Sequence, residues 1–365
     1  MKVLFAPYYA SNPYQEALRE SLDERGATVE PTVGGLFFTL FRSYLRNSDV
    51  DVLHVHWLHA YFHAPWRPLF YVRATMLFVE LFVLRLLGVR VVWTLHNLTS
   101  HDFPYPETEK RLKRLFVTHF CDAVIAHCNA AIDQAIEEYG LDPTERAKMH
   151  VVPHGHYLDR YDTEGARADA RAELDLPLDA TVLLYFGIIR PYKNVPTLIE
   201  TFSRVAGDDD YLLVAGNPHT DDVRGAVSRA ARGDERVRTR LEYIPAEDVP
   251  TYMLAADAVV LPFRDTLTSG SAVLAMSFGR AFVSPRIGCL PELFGDDSEE
   301  CGAVLYDPDD PNGLGTALRS LDSLDLEAMG AWNRERAAEF DWADIADRTT
   351  AVYRDVVRDR RGESA

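Results

Sequence analysis

Lysine is nearly missing from this chain: five of its 38 basic residues, in a length of 365. Against them stand 56 aspartates and glutamates, so the net charge is −18 and carboxylates must coat the surface. That balance argues against a nucleic-acid partner, whose phosphates would be repelled. Cysteine is sparse as well. Cys121, Cys128, Cys289 and Cys301 lack the CxxC spacing of a thiolate metal site and the density of a disulfide framework, so they read as reduced thiols of a cytoplasmic protein. No long uncharged apolar run exists. The longest apolar segment, Leu69 to Val89, is interrupted by Arg73, Glu80 and Arg85, which argues against a membrane span. Met1-Lys-Val-Leu-Phe5 has no apolar segment long enough for a signal peptide and reads as a first strand. Short internal repeats and low-complexity tracts are also lacking; only Arg358–Ala365 looks like a frayed tail.

What is present is an ordinary globular mixture, 47% hydrophobic and 26% charged, at a length that suits two domains. The acidity fits a protein kept soluble in concentrated salt. Its melting temperature is therefore expected to rise in molar salt, and one unaffected by dilution into low salt would contradict that reading. The charge is uneven: residues 1–170 hold 17 basic and 21 acidic residues, leaving 21 and 35 for the rest. The N-terminal half is thus the better neighbour for an anionic lipid.

Strand-like and helical patterns alternate twice over. Val3–Phe5, Val52–His56, Val89–Leu95, Ala123–Ala126 and His150–Val152 read as strands, with helices such as Tyr14–Arg25 and Glu107–Phe120 between them. After a charge-rich stretch to Pro177 the pattern restarts at Thr181–Phe186, Tyr211–Ala215, Leu241–Ile244, Ala258–Leu261, Ala281–Ser284 and Ala303–Tyr306. The expected fold is α/β: two Rossmann-like, doubly wound parallel sheets facing across a cleft. Residues 1–160 would form one such domain and 161–340 the other. Residues 341–365 would be a helix packing back on the first.

Two turns of the second half carry chemistry. Val182-Leu-Leu-Tyr-Phe-Gly187 breaks into a loop with Arg190 and Lys193, and Ala258-Val-Val-Leu-Pro262 leads to Thr268-Ser-Gly-Ser271 at a helix start. Basic side chains and the unpaired N–H groups of a helix N-terminus hold phosphate. Gly187, Arg190, Lys193, Thr268, Ser269, Gly270 and Ser271 are therefore candidates for binding a nucleotide diphosphate.

A resemblance joins these pieces. Pro153-His-Gly-His156, Phe186-Gly-Ile-Ile-Arg-Pro-Tyr-Lys193, Ala275-Met-Ser-Phe-Gly279 and Gly288-Cys-Leu-Pro-Glu292 look like the ordered landmarks of GT-B glycosyltransferases of the family 4 type. His54-Val-His-Trp57, Trp93-Thr-Leu-His-Asn97 and Asp122-Ala-Val-Ile-Ala-His127 are similar to the same group, especially to glycan-assembly enzymes of bacteria and archaea. With the acidic composition, the resemblance points to a halophilic archaeon. It implies transfer of a hexose-type sugar from a nucleotide-diphosphate donor, held by a nucleotide-sugar domain at 161–340, to a growing lipid-linked glycan, held by an acceptor-binding domain at 1–160, on dolichol or polyprenol phosphate, for protein glycosylation or a surface polysaccharide. It further implies that no metal or other cofactor is needed, since basic side chains take that role.

Departures from the family pattern matter equally. The family's Glu-x7-Glu pair falls, by alignment on Met276 and Gly279, on Thr266 and Leu274. The basic residue expected after the loop glycine is displaced, with Ile188 in its place and Arg190 two residues on. A retaining mechanism is therefore not inherited, and Glu292 is left as the carboxylate nearest the donor. On the acceptor side His96 matches the family's first-domain histidine, and His101 and Asp102 follow as a possible base pair. His54 and His56 lie on one strand face with no carboxylate or cysteine cluster, against a metal site with His59.

Phe37 to Arg46 reads as a helix with Phe37, Phe38, Phe41, Tyr44 and Leu45 opposite Arg42 and Arg46, the pattern of a membrane-surface helix. Residues 61–82 add aromatics to the same surface. The protein would then sit peripherally on the cytoplasmic face of the cell membrane. Two other functions stay open: a sugar-nucleotide epimerase of the same fold, and an inactive glycan-binding subunit.

Overall fold

The computed structural model describes residues 1–35, 37–47, 49–64, 66–100, 105–163, 165–295 and 301–361. It divides into two compact units: Met1–Gly155 with Asp341–Ala365, and His156–Phe340.

The first unit is built on a six-stranded, all-parallel sheet. Its strands are β1 (Lys2–Ala6), β2 (Thr28–Pro31), β3 (Val52–Val55), β4 (Arg90–Thr94), β5 (Ala123–Ala126) and β6 (Met149–Val151), in the order β2-β1-β3-β4-β5-β6. The second sheet comprises β7 (Thr181–Phe186), β8 (Asp210–Ala215), β9 (Val237–Arg240), β10 (Ala258–Val260), β11 (Ala281–Pro285) and β12 (Ala303–Tyr306), in the order β12-β11-β10-β7-β8-β9. Its central strands are apolar along their whole length because helices cover both faces of a parallel sheet. Each order reverses once, between β1 and β3 and between β7 and β10. In open α/β sheets, ligands bind beyond the carboxyl ends of the strands at such reversals.

Two strands escaped the sequence pattern. β2 was not expected, and the second sheet uses Val237–Arg240 where Leu241–Ile244 was expected. Both are edge strands. In β9 only Val237 is buried while Arg238, Thr239 and Arg240 are exposed, so no apolar run marks it.

The C-terminal helix Trp342–Arg361 belongs to the first unit. It packs on the helix Pro13–Asp23, and its Tyr353 hydroxyl lies 2.5 Å from Nδ1 of His54. The other ring nitrogen of His54 meets Thr94 Oγ1 at 2.7 Å. Trp342 also explains Gly155, where a Cβ would come within 2.3 Å of the indole.

The helix Thr39–Arg46 turns Thr39, Leu40 and Ser43 inward, and exposes Phe37 and Phe38 before it and Arg42, Leu45 and Arg46 along it. Phe41 corrects the expected apolar face, for it is half-buried. Its N–H donates to the buried carboxylate of Glu80 (3.1 Å), which serves as the cap that the Phe38 side chain cannot provide. Glu80 belongs to the helix Arg67–Leu86. There Arg73 donates to the carbonyls of Ala60 and His63, and Arg85 pairs with Asp122 (3.0 Å). The three charges that interrupt the apolar segment thus have internal partners, and the outward face keeps Tyr71, Val72, Val79, Phe82 and Leu86 exposed by half or more. Among the described residues no helix is long and apolar enough to cross a membrane.

Candidate active site

In the second unit the two basic or small-residue loops follow β7 and β10, the neighbours at the reversal of strand order. Gly187 sits at φ +124°, and its N–H bonds the carbonyl of Ala215 at 3.0 Å. The next turn is pinned to the loop after β8 by Ile189 N–H to Asn217 O (2.9 Å) and His219 N–H to Ile189 O (2.9 Å). Gly216 is the residue the sequence reading missed. A Cβ there would lie 1.9 Å from the Gly187 carbonyl, so both glycines are needed for the loops to touch. Arg264 N–H to Tyr192 O (2.8 Å) ties the β7 loop to the β10 loop.

Gly187, Lys193 and Ser271 converge on one spot. A Cβ on Gly187 would stand 3.3 Å from Ser271 Oγ and 3.6 Å from Lys193 Nζ. Ser269 caps the helix Gly270–Ser277 by accepting from Ala272 N–H (3.2 Å), which leaves the early N–H groups of Gly270 and Ser271 at its open end. Thr268 is half-buried, and its carbonyl accepts from Thr266 Oγ1 at 3.0 Å. Lys193 lies over the Phe263 ring (5.6 Å) and pairs with no carboxylate among the described residues. Burial, and then the neighbouring Arg190 guanidinium, lower its ammonium to about 8. Positive charge held against its own repulsion attracts an anion. Glu292 stands exposed in the first turn of the helix Leu290–Phe294.

The two positions of the missing carboxylate pair are both buried, Thr266 at 8% exposure and Leu274 at 7% within an apolar helix. Leu274→Glu is therefore expected to leave turnover unimproved and to lower the melting temperature, since an unpaired buried carboxylate costs on the order of several kcal/mol. A large gain in kcat would mean that this wall of the site had been misassigned.

In the first unit, histidines follow four adjacent strands: His56 after β3, His96 after β4, His127 after β5 and His154 after β6. His56 Nδ1 and His96 Nε2 are 3.3 Å apart; His127 and His154 each bond a backbone carbonyl through Nδ1, those of Val152 (2.9 Å) and Gly155 (2.8 Å). Tyr14 packs among them, its ring centre 5.2 Å from His96, 5.6 Å from His127 and 4.8 Å from His154. His96 is stacked on Trp57 at 4.7 Å. Its loop is anchored from below by the buried pair Lys113–Glu109 (2.8 Å): Lys113 donates to Leu98 O, and Glu109 accepts from the N–H and hydroxyl of Ser100.

Burial holds all these imidazoles neutral. His54 and His154 fall to about 3 and His127 to about 4, while His56 and His96 lie well below the ordinary value, with repulsion among the rings adding to each except His127. Nε2 of His56 and of His127 are buried without a hydrogen-bond partner. Among the described residues no group of His, Cys, Asp or Glu is arranged to hold a metal ion. His101 and Asp102 lie outside the described residues. Of this row of four the sequence reading took His96 alone as a site residue. The signal for the others was their shared place just past a strand end.

Two family models match the chain, one described as Glycosyltransferase Family 4 over residues 4–160 and one as Glycosyl transferases group 1 over residues 180–323. The GDP-mannose:glycolipid 4-beta-D-mannosyltransferase of Xanthomonas campestris pv. campestris is 28% identical over 288 residues, 78% of this chain and 73% of that one. Among solved structures, sucrose-phosphate synthase from Thermosynechococcus elongatus superposes with a TM-score of 0.75 at 19% identity, covering 97% of this chain and 98% of that one. Anabaena HepE in complex with UDP and glucose gives 0.74 at 16% identity, over 97% and 100%.

Proposed function

Since the chain belongs to the GT-B glycosyltransferases, with models of that class matching both of its units, we propose that it moves a hexose from a nucleotide-diphosphate donor to a lipid-linked glycan at a membrane surface. The observation that carries the donor half is the cation Lys193 beside Arg190, without a carboxylate partner among the described residues, at the strand-order reversal of the second unit. Negative charge grows on the diphosphate as the glycosidic bond breaks, and fixed cations stabilise it most in the transition state. No cofactor or resident metal is invoked.

The reaction inverts the anomeric centre in this reading. The two buried positions that lack glutamates favour it, as does the β linkage in the name of the Xanthomonas enzyme. The acceptor oxygen attacks C1 of an α-linked donor, the bond to the nucleotide diphosphate breaks, and the acceptor proton passes to a base. Among the described residues His96 is assigned that role, because burial keeps its imidazole in the neutral form that a general base requires at pH 7.

A lipid-linked acceptor, on dolichol or polyprenol phosphate and destined for protein glycosylation or a surface polysaccharide, accounts for the apolar exterior of the first unit. Val72, Val79, Phe82 and Leu86 form one uncharged stripe about 20 Å long on the helix Arg67–Leu86. Phe37, Phe38 and Leu45, with Arg42 and Arg46, extend that surface. Arginines at headgroup level would contribute roughly 1 kcal/mol each on an anionic bilayer, less in molar salt, which leaves the apolar face as the main term. Phe38→Ser with Phe82→Ser is expected to release the protein from vesicles and to slow transfer to a lipid-linked acceptor more than to a short soluble analogue. Equal slowing of both would remove the membrane from the mechanism.

The deciding experiment incubates the protein in high salt with a panel of nucleotide sugars and membrane lipids, then reads the mass and anomeric configuration of the lipid product. A β-linked hexosyl lipid is expected. Release of an epimer or of free nucleotide diphosphate without transfer would favour the epimerase reading, and no turnover at all the inactive subunit.

A further inference from the structure

The amino ends of the second sheet carry a feature that the transfer reaction does not use. A cavity of about 350 Å³ opens there, and Arg167, Arg280 and Arg334 line it. Arg280 precedes β11 and donates to the carbonyls of Phe278 (2.8 Å) and Ala256 (2.9 Å). Arg334 reaches Ser277 O and Thr163 Oγ1, both at 3.2 Å. The carboxylate that faces them, Asp257, is already taken: Arg167 (3.1 Å), the buried Arg171 (2.7 Å) and the Val182 N–H (2.7 Å) occupy it. Glu327, on the rim, is exposed. Three guanidiniums line the cavity against the carboxylates of Asp257 and Glu327, and Arg171 also binds Asp257, so positive charge is in excess inside the cavity in a chain of net charge −18.

Burial, and next the nearby Arg167, bring the Arg280 guanidinium down to about 10, the mark of a cation withdrawn from water beside another cation. If these arginines served only to hold helix ends together, protein atoms could fill the space between them. Instead the cavity continues into a wider groove of about 720 Å³ that shares Thr163 and Arg334 and adds Tyr161, Asp159, Asp162 and Glu335. Guanidiniums recognise phosphate through paired N–H groups. An aromatic ring and carboxylates suit the apolar face and the hydroxyls of a sugar.

We propose that this pocket is a second ligand site, separate from the donor loops, and that it takes a small sugar phosphate, with the phosphate among Arg167, Arg280 and Arg334 and the sugar in the groove beside Tyr161. The two sites are joined by one element. The helix Gly270–Ser277 has the donor-loop residues Ser269 to Ser271 at its start, and its last carbonyl, at Ser277, bonds to Arg334. It is about 12 Å long. A ligand that tightens its far end therefore acts on donor affinity, and the donor acts equally on the ligand.

Calorimetric titration with mannose 6-phosphate, glucose 6-phosphate, inorganic phosphate and free mannose tests this, with UDP or GDP at saturation to fill the donor loops. Saturable binding of a hexose phosphate is expected, weakened about tenfold or more by Arg334→Gln and by Arg167→Gln, and retained in Lys193→Met. Circular dichroism shows whether each variant is folded, and the two arginine variants provide independent readings. Absence of saturable hexose phosphate binding overturns the proposal, as does binding lost in Lys193→Met but kept in both arginine variants. Inorganic phosphate binding as tightly as the hexose phosphates overturns the assignment of the groove to sugar.

Discussion

Lys193→Ala is expected to lower kcat on the order of a hundredfold or more, and Arg190→Ala likewise, with circular dichroism and melting temperature close to the parent. The fold should survive because both side chains are half-buried on a loop whose backbone is held by its own bonds to Asn217, His219 and Arg264. The rate should not, because a hundredfold is about 2.7 kcal/mol, the scale of one oriented charge on a developing anion. A second reading comes from pH. With Lys193 titrating near 8 in the free protein, donor binding is strongest below that value and weakens as pH rises through it, so the donor KM should climb above pH 8. Lys193→Arg, which keeps its charge, should flatten that climb. Full activity in both alanine variants would remove the diphosphate from this loop.

The second large effect is acid instability of the first unit. In the unfolded chain a histidine titrates near 6.5. In the folded unit His54 titrates at about 3 and His127 at about 4. Folded values are depressed, so the unfolded state binds protons first. The stabilisation is complete above 6.5 and is lost as pH falls from 6.5 toward the folded values. Each buried imidazole then costs up to about 1.4 kcal/mol per pH unit, so these two alone remove roughly 5 kcal/mol by pH 4.5, a large share of a typical domain's stability. Tryptophan emission between pH 8 and 4.5 is the suitable readout, since Trp57, Trp66, Trp93 and Trp342 lie in the first unit and only Trp332 in the second. His127→Gln should shallow the slope. A first unit equally stable at pH 7 and 4.5 would show that the histidine row is not buried in solution.

Composition and local pattern were enough to determine the α/β class, the double alternation and the place of the two loops that follow Phe186 and Pro262, because each is written in neighbouring residues, whereas the missing glutamate pair was legible only through the family resemblance. A central parallel strand is apolar on both faces, so Val182–Phe186 declares itself. The edge strands β2 and β9 do not, since exposed Arg238 and Arg240 are as acceptable there as in a loop. Strand order was decided only by tertiary packing, and with it the placing of the β7 and β10 loops side by side, 75 residues apart in the chain. Packing also joined His56, His96, His127 and His154 into one row, gathered the arginines at the opposite end of the second sheet, and buried half of Phe41 while leaving Phe38 outside. Periodicity gives the face of a helix that is apolar. Whether that face meets core or solvent depends on which distant residue, here Glu80, docks against it.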